Sequence, residues 1–176
     1  MKERYVLGSI IFHWLMAILI LGLLGLGWYM VGIPRGTPPR GYFFNLHKSF
    51  GLISIVTIAF FIGWRLRNTP PRYPDTMARW EIRLSRLAHW LMYFFLIVVP
   101  LSGYIEANLT PYGIKFFGYH LPAWGPRDRY IDTILVDVHI YTANAFAALI
   151  AIHIGAAIKH WVIDKDRILQ RILPFG

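Results

Sequence analysis

Four stretches of this chain are long, apolar and almost uncharged: about residues 6–31, 47–64, 85–107 and 135–162. A helix rises about 1.5 Å per residue, so about 20 apolar residues cross the hydrocarbon core of a bilayer. Within that core every backbone N–H and C=O must be satisfied inside the chain, and a helix does this for each stretch by itself. Only 15% of the residues are charged, where soluble domains carry about a quarter. The length of 176 residues is one domain's worth, and no second compositional block interrupts it. The expected architecture is all-α: one integral membrane four-helix bundle over residues 1–176.

Proline and glycine punctuate the connections, with Ile33-Pro34-Arg35-Gly36 after the first stretch and Asn68-Thr69-Pro70-Pro71 after the second. The gap from Asn108 to Ile134 holds Pro111, Pro122, Pro126 and several aromatics. It is too broken for a span and too apolar for a disordered linker, so a partly structured loop capping the membrane surface is expected there. The first stretch is expected to be retained, because it is too long for a signal peptide and no small-x-small site precedes the polar loop. Twelve of the 18 Lys and Arg residues fall on the side of the two termini and six on the other. The positive-inside rule therefore places both termini in the cytoplasm. The net charge of +9 sits between apolar runs rather than in one tract, which points to lipid headgroups and away from nucleic acid.

The absence of cysteine removes disulfide scaffolds, thiolate zinc sites, iron–sulfur clusters and covalent haem attachment. Imidazole remains. Ionisable groups inside spans are functional candidates by default. His139 and His153 are 14 residues apart in the fourth stretch, which puts them within about 40° of one face and about 21 Å apart along the axis. His47, read as opening the second helix, lies at the depth of His139, and His13, about two turns into the first, at the depth of His153. Two imidazoles from facing helices at each of two levels are what six-coordinate b-type haem requires, so two haems are expected. Gly27 lies level with the outer pair and Gly51 one turn beyond His47, leaving room for a flat ring or for plain helix packing. A lone intramembrane histidine is as well explained by an interhelical hydrogen bond; four in two level-matched pairs are not. A hydrated metal site lacks its carboxylates, because the inner half of every span is free of Asp and Glu. His89, read as opening the third helix, and His160, both at the inner surface, are either interfacial residues or the lining of a quinone site, where imidazole serves as donor and proton source.

Several pieces around these histidines resemble the bacterial cytochrome b-561 family, within it the small stand-alone di-haem members of superoxide oxidase type. They are His13-Trp14-Leu15, Leu46-His47-Lys48-Ser49-Phe50-Gly51, the set His89, Tyr93, Pro100 and Gly103, and His153 with His160, Lys165-Asp166, Leu169, Arg171 and Pro174. The resemblance implies a bacterial inner-membrane protein with two non-covalent haems on His13, His47, His139 and His153. It further implies electron passage from superoxide outside to ubiquinone in the membrane, with His160 at the quinone.

On that reading Lys48, Lys115, Arg127 and Arg129, with Arg35 and Arg40 behind them, are candidates for drawing an anionic substrate to the outer mouth. They serve equally well as partners of Asp128, Asp132 or Asp137, or of haem propionates. A different class of function, a haem subunit linking a soluble dehydrogenase or hydrogenase to quinone, would use the Arg-rich segment from Arg65 to Arg86 as a docking surface. Topology and anionic lipid account for that segment too. A haem sensor without turnover is a third class, and a homo-oligomer or a redox partner subunit stays open.

Overall fold

The structure is a computed structural model and describes residues 4–74, 76–110, 112–126 and 128–174. Helix α1 is Leu7–Gly32, α2 Pro38–Arg67, α3 Arg79–Leu109 and α4 Arg129–Lys159, each long and apolar enough to cross a membrane. The helices outrun the apolar stretches because hydropathy marks what prefers hydrocarbon, whereas the hydrogen-bonded helix continues into the polar margin. There its ends are built by local chemistry: Pro38 and Pro39 start α2, Glu81 accepts from the Ala78 N–H before α3, and Asp128 accepts from the N–H groups of Tyr130 and Ile131 at the head of α4. Two expectations are corrected as a result. His47 and His89 do not open their helices; they lie nine and ten residues after Pro38 and Arg79.

One residue cluster from all four helices fills the middle of the bundle: Met16 and Ile20 of α1, Ile58 of α2, Leu96 of α3 and Phe146 of α4. Phe146 stacks on Phe95 with ring centroids 5.8 Å apart. It lies seven residues from both His139 and His153, so it plugs the bundle about 10 Å along the axis from either level. Outward-facing apolar side chains such as Ile18 (72% exposed) and Phe60 (67%) meet no protein, as expected of helices whose solvent is lipid. Phe146→Ala is expected to cost about 3–5 kcal/mol, read as a lower thermal midpoint of the detergent-solubilised protein. An unchanged midpoint would show that the ring does not hold the core.

Neighbouring helices pack as α1 on α2, α2 on α3 and α3 on α4, while α1 and α4 barely meet through their backbones. Between α1 and α4 lies a seam with a cavity of about 200 Å³, whose walls include Leu24 and Gly25 on one side and Ala147 and Ala151 on the other. Trp28 Nε1–H bridges it, donating to Asn144 Oδ1 at 3.1 Å. At the far end of α1, Gly8 passes so close to Trp64 that a Cβ there would overlap the indole. Trp64 Nε1–H donates to Ser9 Oγ beside it.

The two termini lie at one end of the bundle. The C-terminal segment crosses the mouth there: Arg4 donates to the Leu173 carbonyl (2.8 Å), Trp14 Nε1–H to the Ile172 carbonyl (2.9 Å) and Arg171 to the Arg72 carbonyl (2.7 Å). At the opposite end, the loop between α3 and α4 forms a hairpin of β1 (Ile114–Phe116) and β2 (Tyr119–Leu121), paired Lys115 to His120. Its two turn residues, Phe117 and Gly118, have φ of 47° and 99°, the left-handed pair that matches strand twist in a two-residue turn. Ser49 of α2, fully buried, accepts from the Phe117 N–H and donates to the Lys115 carbonyl, so the cap is docked on α2 two residues beyond His47. His120, read as a loop residue, is an exposed member of β2.

Candidate functional site

The long helices bring histidines together at two levels. At the loop end, His47 of α2 and His139 of α4 have ring centroids 6.1 Å apart and planes at 88°. At the terminal end, His13 of α1 and His153 of α4 stand 6.4 Å apart at 54°. An imidazole nitrogen lies about 1 Å from its ring centroid and a metal–imidazole bond is about 2 Å, so two rings trans on one metal have centroids about 6 Å apart. Rings joined by a direct N–H···N bond of about 2.9 Å would stand about 5 Å apart. Both pairs stand nearer the first spacing, which leaves room for a metal between the rings.

The surroundings of the loop-end pair fit a metal-bearing group as well. His139 Nδ1–H donates to the Val99 carbonyl of α3 at 2.9 Å, with Ser102 Oγ beside it at 3.4 Å, which leaves Nε2 as the ring nitrogen that could hold a metal. His47 Nδ1 is buried with no hydrogen-bond partner among the described residues. Gly27 lies against this ring: a Cβ on it would come 3.4 Å from His47 Cε1. Beside Gly51, by contrast, there is open space. Gly103 and Val99 were not singled out as site residues from sequence, yet they set the His139 ring. A Cβ at Gly103 would lie 2.9 Å from His139 Cε1 and Nδ1. The signal was available only as a glycine three residues after Pro100, since nothing local says which helix will cross it.

At the terminal end His89 joins the pair of His13 and His153. Its ring centroid is 5.5 Å from that of His153, and its Nδ1–H donates to the Ser85 carbonyl at 2.7 Å. His160 stands apart from them in the last turn of the α4 span, its Nδ1 facing Asp166 (2.6 Å) and Asp164 (3.0 Å). Arg65 Nε–H donates to Tyr93 Oη close to the half-buried Tyr5, whose phenol desolvation raises above its ordinary range against the pull of Arg65 and Arg171.

The candidate steering residues are distributed unevenly. Lys48 Nζ donates to the Gly113 carbonyl at 3.1 Å, within electrostatic reach of Glu106 and Asp132, so it braces the cap as well as carrying charge. Lys115 lies half-buried in β1 beside Ser49, and Arg129 is exposed in the first turn of α4. Arg127 lies outside the described residues. Arg40 turns back on α1, donating to the carbonyls of Met30, Val31 and Ile33 and stacking over Phe44, while Arg35 is exposed.

Comparison with known proteins agrees over the whole length. The family described as prokaryotic cytochrome b561 matches residues 4–175. The chain is 29% identical over 172 residues to cytochrome b561 homolog 2 of Escherichia coli (strain K12), covering 97% of this chain and 92% of that one. It is 24% identical over 176 residues to cytochrome b561 homolog 1 of the same organism, covering 98% of each. It is 27% identical over 178 residues to the probable superoxide oxidase CybB of Yersinia pestis, covering 99% and 98%.

Proposed function

The chain belongs to the prokaryotic cytochrome b561 family, whose members are membrane electron-transfer proteins with b-type haem, and on that premise we propose that it is a superoxide:ubiquinone oxidoreductase holding two haems. The observation that carries the reading is the presence of two imidazole pairs, 6.1 and 6.4 Å apart, at opposite ends of one bundle. His47 and His139 would hold one haem, and His13 and His153 the other. Bound there, haem supplies reversible one-electron chemistry that no side chain of this cysteine-free chain offers.

What the protein contributes is placement. Two superoxide ions give up one electron each at the loop end and leave as dioxygen. One ubiquinone takes up those two electrons, with two protons, at the terminal end. The excess of Lys and Arg at that end supports a cytoplasmic position for it, with the bundle in a bacterial inner membrane. Support for superoxide as donor comes from the name of the Yersinia pestis relative and from the cationic loop end, where Lys48, Lys115, Arg127 and Arg129 gather in sequence around the cap. Val99 holds the His139 tautomer, and Phe146 excludes water between the levels.

Purified protein is expected to reduce a ubiquinone analogue with superoxide as sole donor. Activity that appears only after a dehydrogenase is added would replace this reading with that of an anchoring subunit. Steering adds a second expectation. The Debye length contracts from about 30 Å at 0.01 M salt to about 8 Å at 0.15 M, so the apparent on-rate for superoxide is expected to fall several-fold over that range. A flat response rejects steering by these residues.

A further inference from the structure

Around His160 the α4 span departs from regular helix. Residues His160–Asp164 form one π-helical turn, followed by Lys165 and Arg167 in left-handed conformation with φ of 55° and 60°. Such turns and non-glycine left-handed residues carry a backbone cost and cluster at functional sites. Their effect here is specific. A regular helix would bring only residue 164 over residue 160; the reversal at Lys165 swings residue 166 back as well, so two carboxylates converge on one ring nitrogen. Asp166 is nearly buried (7% side-chain exposure) and divides its oxygens, Oδ1 accepting from the Ile168 N–H at 3.1 Å and Oδ2 from His160 Nδ1 at 2.6 Å. Asp164 Oδ2 adds a contact at 3.0 Å and is itself held by Lys159 Nζ at 2.8 Å, which also reaches Glu81 of α3 at 2.6 Å. With its own ammonium partner in place, the cluster does not call for a metal ion.

We propose that Asp166, assisted by Asp164, is the positioning residue that commits His160 Nδ1 as a hydrogen-bond donor and leaves Nε2 to deliver a proton to a quinone oxygen. The inference rests on the reading of His160 as the quinone contact. With Nδ1–H committed to the two carboxylates, Nε2 is the ring atom that takes up a proton from water and passes it on. The overall step is ubiquinone plus two electrons plus two protons to ubiquinol. The electrons come from two superoxide ions, which leave as dioxygen. Protons lost from Nε2 are replaced from water at the terminal end, where the His160 side chain keeps 12% exposure.

Asp166→Asn is the informative change, because an asparagine oxygen still accepts from the Ile168 N–H while its amide no longer accepts from His160. The full-length protein, labelled with ¹⁵N-histidine, reports the His160 tautomer directly, its signals identified by their loss in His160→Ala. The neutral ring is expected to be the Nδ1–H form in the wild type and to move to the Nε2–H form in Asp166→Asn, completely so in Asp164→Asn/Asp166→Asn. General acids contribute about 10²–10⁴ in rate, so kcat for ubiquinol formation is expected to fall at least about tenfold in the double variant, with KM for quinone within about twofold. An Nε2–H ring already present in the wild type, or a double variant with unchanged kcat while His160→Ala is impaired, overturns the role of Asp166 and leaves the quinone contact standing. A His160→Ala protein with unchanged kcat and KM overturns the quinone contact itself.

Discussion

His139→Ala is expected to leave the protein folded in the membrane with one haem in place of two, measured as haem per polypeptide by pyridine haemochrome. The same loss of one is expected for His13, His47 and His153, since each proposed haem level rests on two rings about 6 Å apart. The terminal-end level is the sharper test, because His89 stands 5.5 Å from His153. His89 Nδ1 is bonded to the Ser85 carbonyl, which ties the ring to its own helix, so it is expected not to replace His13. His89→Ala and His160→Ala are expected to retain both haems. Full occupancy in His13→Ala would transfer the ligand role to His89. A protein that carries no haem at all, even with ample supply, would remove the functional reading altogether.

The second large effect is expected at a residue without a side chain. Gly103→Ala places a methyl group 2.9 Å from His139 Cε1 and Nδ1, closer than carbon atoms tolerate. The ring cannot yield cheaply, because moving it breaks its hydrogen bond to Val99. Loss of such an orienting bond typically costs about 10–100-fold in metal affinity. Gly103→Ala is therefore expected to lose the loop-end haem on dilution or during purification while the terminal-end haem stays. Gly27→Ala, whose Cβ would sit 3.4 Å from His47, supplies the graded comparison and is expected to weaken the same level far less. Equal retention in both variants would show that the His139 ring is free to move, and the tautomer argument for Nε2 would fail with it.

The histidine levels were legible before any coordinates because depth in a membrane is nearly a linear function of residue number. Fourteen residues separate His139 from His153, and alternation of direction places His47 and His13 opposite them. Hydropathy misjudged where α2 and α3 begin, since Pro38 and Arg79 start helices in a zone where lipid headgroups, not hydrocarbon, are the solvent. The error did not disturb the pairing. Depth is set by the apolar stretch, and a helix extended at its polar end keeps its register through the bilayer. The cap was legible only as an ordered segment. Its hairpin rests on Ser49, whose two hairpin partners lie 66 and 68 residues away and leave no local pattern.

Sequence alone determined that this chain crosses a bilayer four times and brings imidazoles to two depths, because rise per residue and the cost of unsatisfied backbone in hydrocarbon leave little choice. Azimuth was another matter. Which carbonyl receives His139 Nδ1–H, which glycine lets its ring lie flat against α3, and how the left-handed Lys165 returns Asp166 to His160 were decided by tertiary structure. Those relations depend on how one helix is rotated against another and on a single backbone reversal, and neither carries a periodic signal along the chain.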